Sequence, residues 1–114
     1  MSRDWLLYLD DLIASAEKIG RLIGGRDLPG VLQDEAAFDA ILFNLQIIGE
    51  SVKKLPPDKR AALAAPHRVG PARLRDLIAH HYFAIEPSIV WDVATRHVPA
   101  LLDDARQLRR AAGG

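Results

Sequence analysis

Apolar side chains recur every three or four residues along most of the chain, the spacing that lines one face of an α-helix. The first such stripe is Leu6, Leu9, Leu12, Ile13, Ala16, Ile19 and Ile23, and it predicts a helix over residues 2–23. Ser2 stands where an N-cap is wanted, Asp4 suits the first turn, and Gly24-Gly25 supplies a stop. Leu28-Pro29-Gly30 reads as a turn. The most regular stripe is Phe38, Ile41, Leu42, Leu45, Ile48, Val52 and Leu55, which predicts a second helix over residues 34–55 with Asp34 or a near neighbour as cap. Pro56-Pro57 ends it, because proline lacks the donor N–H and disfavours helix in the residue before it. A short helical turn over residues 58–64 follows, bounded by Pro66.

Pro71, after Gly70, suits the first position of a third helix that continues through Leu74, Leu77 and Ile78 to Tyr82 or Phe83. The last helix starts near Pro87 or Ser88 and runs to about Arg110, with Val90, Val93, Val98, Leu101, Leu102, Ala105 and Leu108 turned inward. Pro99 lies inside it and predicts a kink. No segment alternates in the manner of a strand. The expected fold is all-α, an antiparallel four- to five-helix bundle forming one domain over residues 1–114.

Composition narrows the chemistry. The chain has 114 residues, 49% of them hydrophobic, and no cysteine. Disulfide scaffolds, thiolate metal sites and cysteine nucleophiles are therefore excluded, and a reducing, cytoplasmic setting is expected. No apolar run reaches the roughly 18–20 residues of a membrane span. Fifteen basic residues balance fifteen acidic ones, but they are not evenly spread. Residues 1–50 carry four basic and nine acidic side chains, whereas residues 51–82 carry seven basic against Asp58 and Asp76. A segment polarised in this way offers phosphates a local footprint inside a neutral chain.

Several chemistries common in helical bundles are missing from the sequence. There is no pair of Glu-x-x-His motifs for a di-iron centre, no His-Glu-x-x-His zinc motif, and no phosphate-cradling glycine loop. No metal site and no cofactor is implied. The dense polar cluster is instead Arg73-Leu74-Arg75-Asp76-Leu77-Ile78-Ala79-His80-His81-Tyr82. Asp76 and His80 are one turn apart, so the carboxylate is placed to orient the imidazole. Arg75 and Tyr82 share a face if the helix continues that far. Arg75 and His80 are about 140° apart on an ideal helix, at about 100° per residue. They converge on one substrate only if the helix frays near His80 or two copies meet across a two-fold axis. Guanidinium, imidazole and phenol suit a phosphodiester, since Arg holds phosphoryl oxygens and His moves protons near neutral pH. The structural alternative is a helix cap with a surface salt bridge.

The segment RDLIAHHY, Arg75 to Tyr82, resembles the R-x4-H-x-Y signature of the HepT toxins, a branch of the HEPN superfamily (higher eukaryote and prokaryote nucleotide-binding domains). Asp76 follows the arginine, as Asn, Asp or His does in HEPN ribonucleases. The helix FNLQIIGESVKKL is similar to the Gly-Glu helix of HepT-like chains. The stretch HHYFAIEPSIVWDVATRHVPAL is similar to their last helix, with a Trp at its head and a Pro inside. One departure is Val69-Gly70-Pro71-Ala72, where many relatives have Trp in a Pro-x-x-Trp context.

The resemblance implies a metal-independent endoribonuclease that works as a homodimer, with Arg75 and His80 of both subunits lining one cleft. His80 would be general acid and base, Arg75 would stabilise charge on the phosphorane, and Asp76 would orient His80 or contact RNA. It implies a toxin–antitoxin pair with an MNT-type nucleotidyltransferase antitoxin that adenylylates Tyr82. The alternatives are a non-catalytic helical subunit docking a nucleotidyltransferase, or a plain structural bundle. Among other residues, Gly49 is expected to permit close helix approach, and Glu50 to pair with a basic residue of the motif helix. Asn44 is either a polar core residue or a neighbour of the site. Trp5 and Trp91 are expected in the core or an interface. His67 and His97 are expected on the surface, and His81 is the residue most easily mistaken for His80.

Overall fold

The computed structural model describes residues 4–113, so the cap expected at Ser2 lies outside the described residues. In chain order it contains α1 (Trp5–Ile23), α2 (Leu28–Leu32), α3 (Glu35–Lys54), α4 (Pro57–Arg60), α5 (Ala65–His80), a 3₁₀ turn (Tyr82–Ala84), α6 (Pro87–Asp92), a π-helical turn (Val93–His97) and α7 (Val98–Ala111). No strand occurs among the described residues, and the all-α bundle is as expected.

The predicted stripes form the core. Leu9, Leu12, Ala16 and Ile19 of α1 meet Ile41, Leu45, Ile48 and Val52 of α3, with Leu74 of α5 and Val98, Leu101 and Ala105 of α7. α1 and α3 run antiparallel, since Arg26 just past α1 pairs with Asp34 at the head of α3 and Lys54 at its foot lies over the Tyr8 ring. α7 lies antiparallel to α1, pinned by Arg106–Glu17 at 2.7 Å and Arg109–Asp10 at 2.9 Å. Helix ends are closed locally. Gly24 takes the left-handed conformation after α1. The Asp34 carboxylate accepts the Ala37 N–H. Arg60 donates to the carbonyls of Val52, Lys53 and Leu55, satisfying acceptors that the end of α3 leaves open.

Several boundaries differ from expectation. Leu28-Pro29-Gly30 is not a turn but the start of α2, because Asp27 caps it through the Gly30 N–H and proline is harmless in a first turn. The third helix begins at Ala65, not Pro71. Pro66 therefore opens it instead of bounding the preceding turn, and Asp104 caps it by accepting the Ala64 N–H. Pro71 is accommodated inside α5. The residue before it is Gly70, which has no Cβ to clash with the proline ring. α5 stops at His80, earlier than Tyr82 or Phe83. The break expected at Pro99 takes the form of a π turn just ahead of it, in which Val98 donates to Val93 five residues back.

α3 and α5 cross at Gly49. A Cβ there would lie 2.5 Å from the Arg75 Cβ and 2.6 Å from the Pro71 carbonyl oxygen. Both of those atoms are fixed to the α5 backbone and cannot rotate away. Gly20 is the control, since a Cβ there meets nothing within 4 Å. Gly49→Ala is expected to cost about 1–3 kcal/mol through overpacking, whereas Gly20→Ala gains about 0.5–1 kcal/mol from helix preference. Thermal or denaturant unfolding of the two variants measures the difference; equal shifts would refute the close crossing.

Candidate active site

The polar end of the crossing is built from two helix faces. Glu50 and Lys53 are one turn apart on α3, and Arg75 and Asp76 meet them from α5. The Arg75 Nε lies 2.8 Å from Glu50 Oε2. This buried N–H is not aimed at the carboxylate, so the contact is an ion pair without an aligned hydrogen bond. Arg75 Nη1 reaches Asp76 Oδ1 at 3.4 Å, and the side chain remains 26% exposed. It lines a groove of about 380 Å³ with Tyr8, Asp11, Phe43, Glu50 and Lys54. Glu50 thus makes the expected pair with the motif helix.

Asp76 does not orient His80. Its carboxylate is hydrogen-bonded by the Lys53 ammonium and by Arg75, because those cations lie across the helix crossing on the side it faces. The Lys53 hydrogen bond, with the nearby positive charge of Lys53 and Arg75, holds the Asp76 carboxyl below the usual carboxylate range against some desolvation. Lys53 is the member of this network that sequence reasoning missed. The signal was present, since Lys53 follows Glu50 by three residues on the same helix.

His80 is exposed and makes no hydrogen bond or ion pair among the described residues. It lines a second groove, of about 440 Å³, with Arg73, Asp76, Leu77 and His81. Arg75 and His80 therefore face different grooves of one chain, as their helical separation requires, and Asp76 lies between them. His81 leaves the helix with φ −140° and ψ 45°, donating its N–H to Leu77 at 2.7 Å. Tyr82 consequently sits on the 3₁₀ turn, half exposed, and does not share a helical face with Arg75.

The remaining candidates are structural. Asn44 is buried and donates to the Ala40 carbonyl at 2.7 Å. Trp5 and Trp91 are partly buried against the core, and the Lys59 ammonium lies 4.8 Å from the Trp5 ring centroid. His67 and His97 are not surface histidines. They are half-buried, with their Nδ1 atoms 3.3 Å apart across α5 and the π turn. Among the described residues no group of three or more His, Asp or Glu side chains is arranged to hold a metal ion. None of the described helices is long and apolar enough to cross a membrane.

Comparison with known proteins identifies the family. The profile of a family described as ribonuclease HepT-like matches residues 12–108. A Methanocaldococcus jannaschii chain named as a putative RNase is 33% identical over 97 residues, covering 85% of this chain and 80% of its own. A Thermococcus cleftensis chain named as a probable ribonuclease HepT is 31% identical over 111 residues, covering 96% of this chain and 100% of its own. No solved structure matches the chain significantly.

The Lys53–Asp76 contact has a pH signature. A carboxyl depressed in the folded state contributes stability at neutral pH, and that contribution fades as pH falls through the depressed value. Asp76 is expected to titrate below 3.8, its ordinary value, in a carboxyl-detected NMR titration. Lys53→Met should move it back up toward 3.8. An Asp76 titration unaffected by that substitution would show that Lys53 is not the cause.

Proposed function

The chain belongs to the HepT-like ribonuclease family, and from that premise we propose that it is an endoribonuclease whose working site combines Arg75 and His80 from two copies. The observation that carries this is the state of His80. Its imidazole is exposed at the last position of α5, makes no bond to another described residue, and opens on a groove. It is placed to exchange a proton with a bound substrate. Arg75, by contrast, is held by Glu50 at Nε and by Asp76 at Nη1, which leaves Nη2 to meet phosphoryl oxygens.

In the proposed reaction neutral His80 removes the proton of a ribose 2′-OH. The 2′-oxygen then attacks the adjacent phosphorus, and negative charge builds on the equatorial oxygens beside Arg75. The P–O5′ bond breaks, and the leaving 5′-oxygen takes a proton from the protonated His80 of the second copy. The products are a 2′,3′-cyclic phosphate and a free 5′-hydroxyl. Asp76 acts on Arg75, not on His80, because its contacts run in that direction. No metal ion is required for these steps.

The regulatory part of the proposal concerns Tyr82. The ring is half exposed on the 3₁₀ turn, where a nucleotidyltransferase antitoxin has access to the phenol. Transfer joins the phenolic oxygen to the α-phosphorus of ATP, releases pyrophosphate, and gives the phenol proton to solvent. The added nucleotide brings bulk and negative charge beside His80, opposing an RNA phosphate. This supports a toxin–antitoxin pair in which the modified chain is silent.

His80→Ala is expected to lower cleavage of RNA by roughly 10²–10⁴-fold and Arg75→Ala by roughly 10²–10³-fold. Circular dichroism and unfolding midpoints should stay close to wild type for His80→Ala, whose side chain supports no described contact. Cleavage by His80→Ala at the wild-type rate would return the chain to a non-catalytic binding role. Tyr82→Phe should accept no AMP from ATP and an MNT-type nucleotidyltransferase, read by intact mass. Continued incorporation in that variant would place the modification elsewhere.

A further inference from the structure

Three groups beside His80 have no task in the reaction above: Arg73, His81 and Phe83. Arg73 precedes His80 by seven residues, two helical turns, so the two share a face of α5 and line the same groove of about 440 Å³. Arg73 is exposed and makes no hydrogen bond or ion pair among the described residues. At 1.5 Å per residue it sits about 10 Å from His80 along the helix axis. Its guanidinium is thus placed for a phosphate next to the one His80 works on. Among the described residues the one carboxylate lining that groove, Asp76, is already engaged by Lys53 and Arg75.

Phe83 completes the arrangement. It projects from the 3₁₀ turn at 102% relative exposure, against 51% for Tyr82. The Tyr82 ring meets it edge-on, with centroids 5.8 Å apart and planes at 88°. The Phe83 ring is open to solvent. Phe83 follows His80 by three residues, with His81 and Tyr82 between them, and Arg73, His80 and His81 line the groove at the end of α5. A protein interface core is depleted of charge and gathers contiguous apolar surface. A solvent-exposed ring three residues past His80, whose groove also holds the unpaired Arg73 guanidinium, instead fits an unpaired base stacked on an aromatic face, with a neighbouring phosphate on the cation.

We propose that Arg73 and Phe83 form a subsite for single-stranded RNA that flanks the bond addressed by His80. Arg73 holds a neighbouring phosphate and Phe83 stacks on an unpaired base. This deepens the ribonuclease proposal and rests on it for the chemistry at His80, but the binding itself is measurable without cleavage. Duplex RNA cannot use the subsite, because its bases are stacked on one another.

The test uses the full chain and a fluorescent, fully 2′-O-methylated single-stranded oligoribonucleotide, which cannot be cut. Phe83→Leu is expected to weaken binding about tenfold, within the range for loss of one stacked base, and Phe83→Trp to restore it. Arg73→Gln should reduce the slope of log affinity against log salt by about 0.7, the loss of one single-strand phosphate contact. On cleavable RNA both variants should raise KM with kcat little changed. Affinity and salt slope unchanged in both variants, or no binding by the wild type, overturns the subsite even where cleavage is present. Binding with the expected differences but without cleavage upholds the subsite and overturns the ribonuclease proposal. A change in assembly size with Phe83→Leu would make Phe83 a protein contact and also overturn it.

Discussion

The missing side chain at position 49 sets the distance between α3 and α5, and the polar site depends on that distance. With a methyl at Gly49 the helices would have to separate around Arg75 and Pro71, and the two charged faces would lose register. At the observed crossing Glu50 reaches Arg75, and Lys53 reaches Asp76, from adjacent turns of one helix. Glycine inside a helix costs about 1 kcal/mol against alanine. The fold accepts that cost beside the residues whose placement matters, within the most regular apolar stripe of the chain.

The charges at the crossing act on orientation more than on stability. Exposed ion pairs contribute about 0–1 kcal/mol each, and the Lys53, Lys54, Glu50 and Asp76 side chains are all open to solvent. Their effect is to hold Arg75 and to draw Asp76 away from His80. The zero net charge of the chain is therefore uninformative about a phosphate ligand. The acidic helix α1 spends Asp10 and Glu17 on Arg109 and Arg106 of α7. Arg73, in the basic middle of the chain, keeps its charge for the groove.

Much of this was legible in the sequence, and the losses have identifiable causes. The stripes of α1 and α3 were read correctly because burial on one face imposes a 3.6-residue period, and both helices end at strong signals, Gly24 and Pro56. The Gly49 and Glu50 roles followed from the cost of glycine in a helix and the position of a carboxylate beside an apolar stripe. The errors cluster at prolines. Pro29, Pro66 and Pro71 each looked like a boundary, yet proline is tolerated in a first turn, and Gly70 removes the clash that would have broken α5 at Pro71. Local residues decide Pro29 and Pro71, through the Asp27 cap and Gly70, whereas the start of α5 at Pro66 is supported at long range: Asp104, forty residues away, accepts the Ala64 N–H. The His67–His97 pair and the Lys53–Asp76 contact are likewise tertiary, joining residues thirty and twenty-three positions apart. No local pattern announces such pairs.

Under the proposed function Arg75 and His80 serve the same phosphate, and helix geometry constrains how they can meet there. Five residues of α-helix turn through about 500°, leaving the two side chains about 140° apart. The structure does not close that gap by fraying, since α5 stays regular up to His80 and only His81 departs from it. Nor does Asp76 bridge the pair, because its contacts run to Lys53 and Arg75 alone. Each chain therefore carries an anchored guanidinium in one groove and an unengaged imidazole in another. Under the proposed function, a two-fold axis that brings the Arg75 groove of one copy against the His80 groove of the next supplies both groups to one phosphodiester. The same axis supplies a second imidazole, so that the general base and the general acid are separate groups. A site of this kind can be switched off at either half, and Tyr82 and Phe83 stand at the His80 half, on the turn that begins where the helix ends.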